Sequence, residues 1–146
     1  MENTGNYYLI NHLTLATGLT DRTIRSYISA GFLQGEKING LWHFTQEQVE
    51  AFLRHPAVRP SILAKNNGVV YDFLADGKKR EQTGCFILDL PGEDPKKCAE
   101  FFCYEISSGD FRDFRFSLDS VGGTPRVILR GPMEQILALV NRYFGR

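Results

Sequence analysis

The stretch INHLTLATGLTDRTIRSYISAGFL, residues 10–33, reads as two short helices around a tight turn, followed by an exit containing Gly31. The second helix is expected to begin after Thr20, whose hydroxyl can accept a free amide of the first turn. Ile24 and Ile28 then stand four residues apart on one face, toward the core. Arg22, Arg25, Ser26 and Ser29 fall on the opposite face and offer two guanidinium groups and two hydroxyls to a groove. That is the layout of a helix-turn-helix that reads DNA.

The chain continues with GEKINGLWHF and TQEQVEAFL. Asn39-Gly40 is a strong signal for a two-residue hairpin, because the tightest such turn needs positive φ at both central positions. Thr45 with Gln48 three residues on makes a capping box, and Val49, Phe52 and Leu53 recur behind it at helical spacing. Across Ile10, Leu13, Gly18, Leu19, Thr20, Arg22, Thr23, Ile24, Arg25, Tyr27, Gly31, Phe32 and Leu33, and in the hairpin that follows, the sequence resembles the MerR family of bacterial transcription regulators. The resemblance implies a winged helix-turn-helix in which Arg22, Thr23 and Arg25 enter the major groove, with Thr20 and Ser26 beside them and Tyr27 against the DNA backbone. Lys37, Asn39 and His43 of the wing are expected at phosphates or the minor-groove edge. Ser26 stands where the family usually carries a second aromatic, and His43 where it often carries Arg.

Charge narrows what this motif can do alone. Residues 1–60 hold Arg22, Arg25, Lys37, Arg54 and Arg59 against Glu2, Asp21, Glu36, Glu47 and Glu50, a balance of zero, and the whole chain is also neutral. Non-specific DNA affinity comes mostly from neutralised phosphates, so one copy is expected to bind weakly and a homodimer on an inverted repeat to bind well. The alternative is an excisionase-like or adaptor winged helix that binds a protein instead of controlling a promoter.

The 146 residues are 42% hydrophobic, as in a folded protein, and no run approaches the length of a membrane span. The polar start MENTGN lacks the regions of a signal peptide, so the expected compartment is the cytoplasm, with no membrane partner. Cys85, Cys98 and Cys103 make no CxxC pair. Cys98 and Cys103, five apart on an expected helix, point about 140 degrees apart at roughly 100 degrees per residue. The thiols are read as buried packing residues, and His12, His43 and His55 form no ligand spacing, so neither metal nor cofactor is expected. No phosphate loop, nucleophile elbow or Ser/His/Asp constellation stands at usable spacing, which argues against an enzyme.

Prolines 56 and 60 break the chain after the third helix. From Pro60 the residues Ile62, Leu63, Val69, Val70, Phe73 and Leu74 fit one apolar stripe ending near Asp76-Gly77, interrupted only by Gly68. The stripe suits either a dimer seam or a helix folded onto the chain's own C-terminal unit. After GKKREQTG, Phe86, Leu88 and Leu90 alternate in a strand that ends at Pro91-Gly92, and Asp94-Pro95 opens a helix carrying Cys98, Phe101, Phe102 and Ile106 inward. Phe114, Phe116 and Leu118 mark a second strand, Val127 and Leu129 a third. Gly131-Pro132 is expected to open a last helix with Met133, Ile136, Leu137, Val140 and Phe144 inward.

The fold class is therefore α+β: a winged helix-turn-helix over residues 1–57, a linking and dimerisation helix over 58–77, and a small βαββα sandwich over 78–146 for dimerisation or effector binding. The order of strands and helices is similar to half of a GyrI-like effector domain in topology alone. On the open sheet face Arg115, Ser117, Arg126 and Arg130 are candidates to hold an anionic small-molecule effector; the plainer reading is a solvated face of Arg and Asp pairs.

Overall fold

Gly18 ends the first helix in a computed structural model of the chain, which describes residues 7–146; residues 1–6, on which the reading of the chain's start and the charge of Glu2 rest, lie outside it. Helix α1 (Ile10–Thr17) stops because Gly18 takes φ 78°, a left-handed conformation that strains any residue with a Cβ. Thr17 braces the turn. Its buried hydroxyl donates to the Leu13 carbonyl at 2.6 Å and accepts the Leu19 N–H at 3.1 Å. Helix α2 (Asp21–Ala30) then starts on Thr20, whose side chain accepts the Thr23 N–H at 3.1 Å. Ile24 on α2 is fully buried, whereas Arg22, Arg25, Ser26 and Ser29 are exposed.

Strands β1 (Glu36–Ile38) and β2 (Leu41–His43) form an antiparallel hairpin. Asn39 at φ 51° and Gly40 at φ 82° supply the two positive torsions that the two-residue turn requires. Helix α3 (Gln46–Arg54) opens on a reciprocal cap: Thr45 accepts the Gln48 N–H at 3.2 Å, and the Gln48 side chain accepts the Thr45 N–H at 2.9 Å. Leu13, Leu19, Ile24, Leu33, Phe44, Val49, Phe52 and Leu53 are buried and form the core of this part of the chain.

Helix α4 (Arg59–Ala75) runs without a break through Gly68 and begins one residue before Pro60. The chain divides into two compact units, one up to Lys65 and one from Asn66 on, so the boundary falls inside α4 and not at either of its ends. The expected single stripe is two. Ile62, Asn66 and Val69 are buried, whereas Leu63 is 43% exposed and Leu74 74% exposed, with Val70 and Phe73 half-buried. At about 100° per residue these two arcs are centred roughly 100° apart around the axis, so Ile62 and Val69 cannot share a seam with Leu63 and Leu74.

The second unit adds β3 (Thr83–Asp89), α5 (Pro95–Ser108), β4 (Arg115–Val121), β5 (Thr124–Pro132) and α6 (Met133–Gly145). Its three strands are all antiparallel, in the order β3-β5-β4. The central strand runs further than expected: Gly131 and Pro132 pair with Gly84 and Thr83, so Pro132 closes β5 and α6 begins at Met133. On one face of the sheet the Phe102 ring lies 6.1 Å from that of Phe116 and 5.1 Å from that of Tyr143, above buried Val127 and Leu129. Helix α6 turns Ile136, Leu139 and Tyr143 inward, a row at helical spacing, and leaves Leu137 and Phe144 exposed, contrary to the expected face. Among the described residues the fold is mixed α+β, and no helix is long and apolar enough to cross a membrane.

Candidate nucleic-acid interface

The first turns of α2 gather most of the polar groups expected at DNA. Arg22 is exposed and has no ion-pair partner among the described residues. Arg25 Nε lies 2.5 Å from Asp21 Oδ1, one turn back, so its guanidinium is already neighboured by a carboxylate. Such an exposed pair contributes little and exchanges readily for a stronger partner. The Thr20 hydroxyl donates to Thr23 Oγ1 at 3.0 Å, which makes both threonines part of the helix cap, and Ser26 donates to the Thr23 carbonyl at 2.9 Å. Arg22, Arg25, Ser26 and the Thr20–Thr23 cap thus share the N-terminal half of one short helix.

Tyr27 is placed otherwise. Its hydroxyl donates to Ser61 Oγ at 3.2 Å, and its ring lies 5.7 Å from Phe52 and 6.1 Å from Phe32. It secures α2 against its neighbours and does not stand free for a DNA backbone.

The hairpin separates the wing residues. Its register pairs Lys37 with Trp42 and Glu36 with His43, and side chains alternate along a strand, so Lys37 and His43 leave opposite faces of the ribbon. Lys37 Nζ lies 5.8 Å from the Trp42 ring centre, and the Trp42 ring stacks on Phe44 at 6.3 Å. His43 Nδ1 donates to the Leu41 carbonyl at 3.0 Å, and its ring stands edge-on to Tyr7 at 5.5 Å. Two residues that composition does not single out are Trp42, as the partner of Lys37, and Thr17, as the brace of the turn. The two-residue turn at Asn39-Gly40 already carries the first of these, because it fixes which residues face each other.

No protein-family model matches this chain, and neither the curated proteins nor the solved structures hold a match for it.

The second candidate set lies on the face of the three-stranded sheet away from Phe102. Register places three rows across it: Cys85, Arg130 and Arg115; Ile87, Ile128 and Ser117; Asp89, Arg126 and Asp119. The expected four-residue cradle does not form. Ser117 is only 2% exposed and donates its hydroxyl to the Asn66 side-chain oxygen. The Asn66 amide donates to Asp119 Oδ2 at 3.1 Å, so the C-terminal half of α4 covers this part of the sheet. Arg126 grips Asp89 with two bonds of 2.7 and 2.9 Å, and its hydrogen bond holds the Asp89 carboxyl below the usual carboxylate range. Arg115 Nη1 lies 3.9 Å from Asp72 Oδ2. Only Arg130 keeps a guanidinium with no ion-pair partner among the described residues of this set.

Burial pushes Cys98 up to about 11 and Cys103 up to about 12, and raises Cys85 as well. Among the described residues no group of three or more His, Cys, Asp or Glu could hold a metal ion.

Proposed function

We propose that the chain is a DNA-binding transcription regulator of MerR type, whose first unit is a winged helix-turn-helix that binds an inverted-repeat operator as part of a homodimer. The observation that carries this reading is the polar N-terminal half of α2, with Arg22, Arg25 and Ser26 exposed on a helix that is capped by Thr20 and set by a three-residue turn after α1. A helix of that exposure and composition suits the major groove, where paired guanidinium donors can reach guanine edges and hydroxyls can reach phosphates. The β1–β2 hairpin supplies the wing, with Lys37 and Trp42 on one of its faces. The outer arc of α4, with exposed Leu63 and Leu74 and half-buried Val70, joined by Tyr71, is the seam proposed for the second copy. A small-molecule effector held by the second unit is part of the same reading.

A protein-binding adaptor is the second reading. It is favoured by the absence of net charge over residues 1–60 and by the Asp21 carboxylate already on Arg25. Titration of the whole chain into a labelled duplex taken from the DNA upstream of its own coding region separates the two. Under the regulator reading the affinity falls steeply as salt rises. Arg22→Ala with Arg25→Ala lowers both the affinity and the salt slope, the latter by about one for each phosphate no longer neutralised. A folded chain that binds neither this duplex nor any member of a random duplex pool at low salt would falsify it.

A further inference from the structure

The face of the second unit's sheet that α4 covers in part treats its arginines unequally. Arg126 has a carboxylate on each side in its row, Asp89 on β3 and Asp119 on β4. Arg130, four residues further along β5, has Arg115 directly opposite on β4 and the thiol Cys85 on β3. Like charges standing opposite each other across a sheet repel, and Asp72, 3.9 Å from Arg115, offsets only one of the two, so this row gains from an anion where the other already holds two carboxylates. Arg130 also opens onto a cavity of about 380 Å³. Phe73 and Pro132 give that cavity apolar wall, while Lys78 and Arg80 add two cations. Thr83, at its edge, has a fully buried hydroxyl with no hydrogen-bond partner among the described residues.

We propose that this cavity binds a small organic oxyanion, anchored on Arg130. The guanidinium suits two parallel charge-assisted bonds to a carboxylate or phosphate monoester, and Phe73 with Pro132 suits an apolar body of about one ring. The carboxylates at the rim are largely engaged: Glu81 accepts from Arg112 at 2.8 Å, and Asp76 accepts the Lys78 N–H at 3.0 Å. Asp113 remains as the negative group that a ligand must avoid, which favours a compact monoanion or dianion over an extended polyanion. Lys79 is excluded as an anchor, since its Nζ donates to the Phe73 carbonyl at 2.7 Å and to that of Asp76, closing the end of α4. The site lies wholly in the second unit and does not depend on the DNA-binding reading.

The test is a titration of the whole chain, without DNA, followed by amide NMR, using phenyl phosphate, benzoate and neutral benzyl alcohol as probes. Both anions shift the amides of Thr83, Gly84, Arg130 and Gly131 with dissociation constants of about 1 mM or below, and the alcohol does not. The tighter of the two anions tells whether the natural ligand is a phosphate or a carboxylate. Arg130→Met weakens anion binding by about tenfold or more, whereas Arg126→Met, which removes an arginine already neutralised, changes it by about twofold at most. Shifts clustered elsewhere, equal binding of the alcohol, or unchanged binding by Arg130→Met overturns the site. Should Arg130→Met not fold, the shift map of the unaltered chain decides alone.

Discussion

Ser117 on β4 donates its hydroxyl to the side-chain oxygen of Asn66 on α4, and both residues are buried. The Asn66 amide in turn reaches Asp119, so one helical residue satisfies two polar groups of the sheet. Removing it strands the Ser117 hydroxyl in a dry setting, which costs about 1–3 kcal/mol for a buried group left without a partner, and takes one bond from Asp119, which keeps the Ser120 N–H at 2.8 Å. Asn66→Ala is therefore expected to destabilise the second unit by roughly 1–3 kcal/mol, and Ser117→Ala, which leaves Asn66 its bond to Asp119, by about 1 kcal/mol. Urea unfolding of the whole chain, read by circular dichroism, measures both; an Asn66→Ala midpoint equal to that of the unaltered chain would remove the network from the stability argument.

Lys37 and His43 leave opposite faces of the hairpin, and His43 is engaged by its surroundings through Leu41 and Tyr7. Under the regulator reading Lys37→Ala lowers the slope of log affinity against log salt by about one, and His43→Ala leaves it unchanged. The Trp42 ring lies beside the Lys37 ammonium, so Trp42→Ala is expected to weaken duplex binding in the same direction as Lys37→Ala. Salt titrations of the three variants on one duplex compare them. Equal slopes for Lys37→Ala and the unaltered chain would take the wing out of the interface.

Much of this fold is legible in the sequence because the signals are local. Thr20, Thr45, Asn39-Gly40 and Asp94-Pro95 each act within four residues of themselves, and the structure uses every one of them as a cap or turn. What a helical stripe meets is not local. Ile62 and Leu63 look alike in a periodicity count, yet one is buried and the other exposed, because tertiary packing and not spacing decides which side of a helix meets a core. The same limit applies to α6, where Leu137, expected inward, is exposed and Leu139 is buried, and to the sheet face, where four candidate residues separate once register gives Arg126 its carboxylates. Register itself is readable at the hairpin, where a two-residue turn fixes it, and not at β3–β5, whose partners stand far apart along the chain, as Phe86 and Leu129 do.

Burial sets the pH limits of the fold in opposite directions at its two units. The Cys98 and Cys103 thiols are raised by desolvation from an ordinary 9.0 to about 11 and about 12, so between those values the unfolded chain loses protons that the folded chain keeps. Stability of the second unit is therefore whole below pH 9 and falls as pH rises toward 11. His12, lowered by burial from 6.5, accepts the Leu9 N–H at 3.0 Å through Nδ1 and must stay neutral to do so. Here the unfolded chain takes up the proton first, and stability of the first unit declines as pH falls below 6.5. Unfolding midpoints across the pH range test both slopes. Cys98→Ala with Cys103→Ala should flatten the alkaline limb between pH 9 and 11, and His12→Gln the acid one.

The exposed arc of α4 gives the proposed dimer a variant that separates association from folding. Leu63 and Leu74 are exposed along the same arc, and Val69 is buried on the other, so these three positions have different duties although they belong to one helix. Burying a leucine in a seam contributes about 1.5–3 kcal/mol, and twofold symmetry counts each substitution twice. Leu74→Glu is therefore expected to raise the dimer dissociation constant by about 100-fold or more while leaving the helical content intact. Val69→Glu, which forces a carboxylate into the core, unfolds the second unit instead. Sedimentation equilibrium and circular dichroism on the same samples tell these apart. If Leu74→Glu sediments as a dimer with the affinity of the unaltered chain, the second copy is held by another surface, and the outer arc of α4 is only a solvent-facing side of a linking helix.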